Sequence, residues 1–160
     1  MPNPDEMFPL DKLYSQSFAF VKAPDDLVDD FTTEKRPCRD KVTEIHEWMI
    51  RSSTPAAEAC LFNVKMEPPN PPIETGYLVS SHWRVDGPDL FRCLFSLGSQ
   101  GPMIQWDGGL STPPGYMLVT LCQAWFDLTQ KHIPKHSAAC SVQHQGERRH
   151  LFTLRWFYEE

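Results

Sequence analysis

The sequence predicts an α+β fold: a mainly antiparallel sheet, one long helix at about 113–130 packed across a face, and a second helix at about 40–51. Three observations predict it. Apolar residues recur at three- and four-residue spacing in 40–51 and again after Pro113, as one buried helix face requires. Between these stretches, short apolar runs are cut by Gly, Pro and Asp clusters, the pattern of strands joined by turns. The closing segment alternates. His150, Phe152, Leu154, Trp156 and Tyr158 fall on one side of a strand, and Arg149, Leu151, Thr153, Arg155 and Phe157 on the other. The first side should be core.

A chain of 160 residues suits one core better than two. Residues 1–36 read as an acidic, Pro-containing N-terminal arm and 37–160 as a single α+β domain. Within the arm, Phe18-Ala19-Phe20-Val21 reads as a short strand or as a segment laid on the main body. Asp25, Asp26, Asp29 and Asp30 give a solvated acidic face or a docking surface for a basic partner.

The remaining elements follow in order. Asp40 can cap a helix running to about Arg51, with Val42, Ile45, Trp48 and Met49 on its buried stripe. Ser52-Ser53-Thr54-Pro55 reads as the turn that ends it. Ala59 to Met66 reads as a strand, closed by Glu67-Pro68-Pro69-Asn70-Pro71-Pro72, a stiff connector poor in backbone donors. Gly76 to Val85 and Leu90 to Leu97 read as the next strands, with Asp86-Gly87-Pro88-Asp89 as the turn between them. Pro102 to Trp106 is a short strand or its continuation. Thr112 then caps the long helix, whose stripe is Met117, Leu118, Leu121, Cys122, Trp125, Phe126 and Leu128. A hairpin closes the chain, with Ala138–His144 and Arg148–Tyr158 as its arms.

Composition narrows the function classes. The net charge of −6 argues against a general nucleic-acid binder, whose affinity rests on Lys and Arg neutralising phosphate. Arg148, Arg149 and Arg155 keep that reading only as a minor one. Five scattered cysteines, odd in number and without a CxxC pair, read as reduced thiols, most of them buried. The first residues carry no basic or apolar signal segment, and no apolar run is long enough to span a bilayer. The expected location is therefore cytoplasmic or nuclear.

The sequence offers four candidate sites. His132, His136, Cys140 and His144 recur at equal spacing. On a strand, however, successive members stand ~13 Å apart, too far for one ion, so no metal is assigned. Trp106-Asp107-Gly108-Gly109 resembles an anion nest, yet it lacks a downstream Gly-Lys-Ser/Thr and carries a carboxylate, so a turn accounts for it. Leu97-Gly98-Ser99-Gln100-Gly101 misses the first glycine of the nucleophile elbow. His82 with Asp107 could form a general base with its orienting carboxylate, and these are the catalytic candidates. Trp83, Trp106 and His136 are the ligand-binding candidates, and no cofactor is implied.

Two functions remain. The first is a non-catalytic binding or protein-interaction module, with a protein partner or self-association through Phe18–Val21 or the Tyr158 edge. The alternative is a small enzyme or carrier that holds an apolar ligand between sheet and helix, with the His/Asp pair as its polar site.

Overall fold

The computed structural model describes residues 10–28, 37–76, 87–97, 104–106, 112–138 and 148–159. The main sheet has six antiparallel strands. The chain order begins with α1 (Leu10–Gln16), β1 (Phe18–Lys22), a 3-10 turn (Asp25–Leu27) and α2 (Arg39–Ala59). It continues with β2 (Val64–Met66), β3 (Ile73–Gly76), β4 (Phe91–Leu97) and β5 (Ile104–Trp106). It closes with β6 (Tyr116–Leu121), α3 (Gln123–Thr129), β7 (His136–Ala138) and β8 (Arg148–Tyr158). Across the sheet the strands run β1-β6-β4-β8-β2, and β3 also pairs with β8. β5 and β7 form a separate two-stranded ladder.

An antiparallel sheet with a long helix is therefore the architecture, but the long helix is α2 and not 113–130. Tyr116–Leu121 is an inner strand between β1 and β4. Met117, Val119 and Leu121 face the helices, while Leu118 and Thr120 face the other way, and all five are buried. A strand covered on both sides has no polar alternation, so its apolar run mimics a helix stripe. Helix resumes only at Gln123, behind the extended Cys122, and ends at Gln130 in the left-handed region, φ 60°.

The helix expected at about 40–51 starts one residue earlier, at Arg39, and runs on to Ala59. Its N-cap is Cys38, and Asp40 sits inside the first turn, where its charge still meets the positive end of the helix dipole. Ser52-Ser53-Thr54-Pro55 does not stop it. Pro55 lies within the helix, and the hydroxyls of Ser53 and Thr54 donate to the carbonyls of Met49 and Ile50, each at 2.7 Å. Burial holds this stretch helical, since Ser53 and Ala56 are fully enclosed and the Trp156 indole Nε1 donates to Ser53 Oγ at 3.2 Å. Packing here outweighs local propensity.

The core lies between the sheet and the three helices. Ile45, Trp48, Met49 and Ala56 of α2 meet Phe91, Phe95, Phe152, Leu154 and Trp156, with Trp48 edge-on to Phe95 at 5.2 Å. On β8 the expected core side is right for His150, Phe152, Leu154 and Trp156, while Tyr158 at the strand end is 40% exposed. The N-terminal segment joins the same body. Leu13, Ala19 and Leu27 are buried in the core, and β1 is hydrogen-bonded along β6.

Further strands depart from the expected limits. Of the strand read at Ala59–Met66, only Val64–Met66 is extended, because α2 occupies the residues up to Ala59. The closing hairpin is not formed by the described residues: β7 pairs with β5, and β8 pairs with β4, β2 and β3. Most of the strand read at Gly76–Val85 falls outside the described residues. No helix among the described residues is long and apolar enough to cross a membrane.

Candidate functional site

β4 and β8 lie side by side in a register that sets Arg92 directly across from Arg155. Both point away from α2, because their neighbours Phe91, Cys93, Leu154 and Trp156 turn into the core. Like charges at directly opposed positions destabilise a ladder. Asp89, just ahead of β4, resolves that conflict.

The Asp89 carboxylate is fully buried and takes a fork from each guanidinium. Arg92 donates from Nε to Oδ2 at 2.7 Å and from Nη2 to Oδ1 at 2.9 Å. Arg155 donates from Nε to Oδ2 at 3.3 Å and from Nη2 to Oδ1 at 3.0 Å. Four charge-assisted bonds meet the carboxylate's acceptor capacity and fix both side chains. The Arg155 Cζ also lies over the Phe157 ring, 4.9 Å from its centroid, a cation–π contact.

Above these groups runs the Pro-rich connector. The Glu67 N–H donates to the Arg155 carbonyl at 3.0 Å, which docks the connector against β8. Prolines then carry the chain outward, and β3 returns to β8 at Ile73–Leu151. The space left beneath is a cleft of about 220 Å³. Pro68, Pro69, Asn70 and Pro71 form one wall, Arg92 stands on the other side, and Leu151, Thr153 and Arg155 form the floor. Glu67 reaches in from the rim, its Oε2 3.7 Å from Arg155 Nη1. The floor residues alternate along one strand, so they lie in a row.

Farther along the same face lies a buried apolar cluster. Phe18, Leu94 and Leu118 are buried there, with Phe20 and Leu151 packed against them. Leu151 thus belongs both to this cluster and to the cleft floor.

A second polar group lies on the helix side. His150 is 3% exposed, and the His46 ring meets Phe152 edge-on at 5.4 Å. The Nε2 atoms of both histidines are buried, with no hydrogen-bond partner among the described residues. Burial lowers the His46 pKa below its ordinary value. Among the described residues, no three His, Cys, Asp or Glu side chains converge to hold a metal ion. The Cys93 thiol is fully enclosed, and burial pushes its pKa up to about 12.

Of the residues singled out in the sequence, His82, Trp83 and Asp107 lie outside the described residues. Trp106 and His136 are brought together by the backbone as direct partners in the β5–β7 ladder. The Asp89–Arg92–Arg155 group was not foreseen as a site. The one local cue was an acid three residues before a base at a strand entrance, whereas Asp89 and Arg155 stand 66 residues apart. Comparison of the chain with protein-family models, with curated proteins and with solved structures returns no match.

Proposed function

We propose that this chain is a non-catalytic protein-interaction module that takes an extended segment of a partner protein along the outward face of β8. The cleft beneath the Pro-rich connector carries this reading. Its volume of about 220 Å³ is below the ~300–1,000 Å³ of pockets that enclose a whole small ligand. That size fits one or two side chains of a segment lying across it. The row Leu151, Thr153, Arg155 offers an apolar, a hydroxyl and a cationic contact in turn, at the spacing of alternate residues in an extended chain.

Stiffness favours the same reading. Prolines fix the wall, and Asp89 with Phe157 fixes Arg155, so little ordering entropy is lost when a partner settles. The wall cannot extend the sheet, because prolines supply no N–H, so recognition rests on side chains.

The test is selection from a random-peptide display library on the immobilised full chain. Enrichment of related sequences is expected, with binding lost when an indole fills the cleft in Thr153→Trp. Binding should survive Leu128→Asp, a change at an exposed position of α3. Absence of enrichment, or binding indifferent to Thr153→Trp, contradicts the assignment.

A further inference from the structure

Arg155 has three guanidinium nitrogens and only two firm partnerships. Nε and Nη2 are held by the buried Asp89, and Cζ lies over the Phe157 ring. Nη1 is left aimed at Glu67, at 3.7 Å, beyond hydrogen-bonding distance. The Arg155 side chain is 31% exposed and that of Glu67 is 41% exposed. The contact is therefore loose, screened and easily exchanged. A guanidinium locked in place with one donor turned toward a cleft is a pre-organised acceptor for a carboxylate.

We infer that Arg155 forms a carboxylate subsite in the cleft, which takes an Asp or Glu side chain of the bound segment in place of Glu67. The inference rests on the module reading and names the chemistry of the segment. Glu67 is the resident occupant: it covers the charge in the free chain and swings out on its flexible stem when the partner's carboxylate enters. Its backbone N–H stays on the Arg155 carbonyl, so the connector keeps its place while the side chain moves. Thr153, next along the floor, offers a hydroxyl to the same segment. The site selects against Lys and Arg at that position by leaving Arg155 opposite a like charge.

The test follows the arginine Nε–Hε resonances of the nitrogen-15-labelled full chain during titration with sodium propionate at constant ionic strength. The Arg155 resonance should move saturably, and propionamide should not move it. Removing the competitor in Glu67→Gln should tighten propionate by about threefold, the scale of a partly exposed ion pair. Arg155→Lys, which keeps a charge but loses the fork, should abolish the response. Glu67→Gln alters a half-exposed rim side chain, so it reports even where the Arg155 variant fails to fold. A propionate titration without saturation, or an unchanged Kd in Glu67→Gln, overturns the subsite.

A blocked pentapeptide, acetyl-Ala-Ala-Asp-Ala-Ala-amide, should bind more tightly than propionate. Equal affinities would assign the site to a small free acid and overturn the segment assignment. The two readings fail separately. Propionate binding at Arg155 with no peptide enriched removes the module, whereas enriched peptides without carboxylates, in a chain indifferent to propionate, remove the subsite.

Discussion

On the side of the sheet turned toward α2, β4 and β8 meet through Phe91, Cys93, Phe95, Phe152, Leu154 and Trp156, side chains held by area and shape. On the opposite side the same two strands oppose Arg92 and Arg155, and the buried Asp89 carboxylate binds both guanidiniums. Two neighbouring strands thus join by two mechanisms. The apolar side tolerates partial loss, because each side chain contributes in proportion to what it buries. On the charged side the loss does not scale with area, because removing Asp89 takes away the buried carboxylate that both guanidiniums share. Such a side costs stability unless every member is present, and what it offers in return is fixed, directional donors at the surface.

The largest effect should come from the apolar side. Phe95 is fully buried between Trp48 and Phe152. Phe95→Ala should destabilise the chain by about 4 kcal/mol in urea denaturation. Asp89→Asn should follow at about 3 kcal/mol, since it neutralises the buried carboxylate that both arginines share. A double-mutant cycle separates the two sides. Adding Arg92→Leu to Asp89→Asn should restore part of the loss, whereas pairing Phe95→Ala with Leu154→Ala should give no such recovery.

A smaller effect should come from acid. The pKa of His46 is lowered from 6.5 by burial. The unfolded chain therefore binds the proton first, and stability is lost as pH falls below about 6.5 toward the lowered folded value. Urea midpoints at pH 7.5 and pH 5 should differ, and His46→Gln should narrow that difference. An equal drop in the variant would place the acid sensitivity elsewhere.

Much of the fold could be read from the chain because local pattern and tertiary role coincide in several elements. β8 alternates cleanly, since one side meets helices and the other meets the cleft and its rim. The stripe Val42, Ile45, Trp48 and Met49 marks the start of α2 for the same reason. β6 is the opposite case. Its two sides are both covered, and Met117-Leu118-Val119 carries no period that separates strand from helix. The end of α2 was hidden because Pro55 announces a stop that the burial of Ala56 overrides.

The site was harder to foresee than the fold. Asp89 looked like a turn residue, Glu67 like part of a linker and Arg155 like one of several cations. Only the β4–β8 register makes them one group. Pairing across a sheet leaves no trace in sequence spacing, whereas the alternation that builds the sheet does.

The central claim is that ligands meet the outward face of β8 and not the interior between sheet and helix. Methyl chemical shifts of the chain bound to a display-selected peptide test this most directly. Changes should concentrate at Leu151 and Thr153, with Leu154, Met117 and Val119 nearly unmoved. Changes centred on Leu154, Met117 and Val119 would place the ligand inside the core and contradict it.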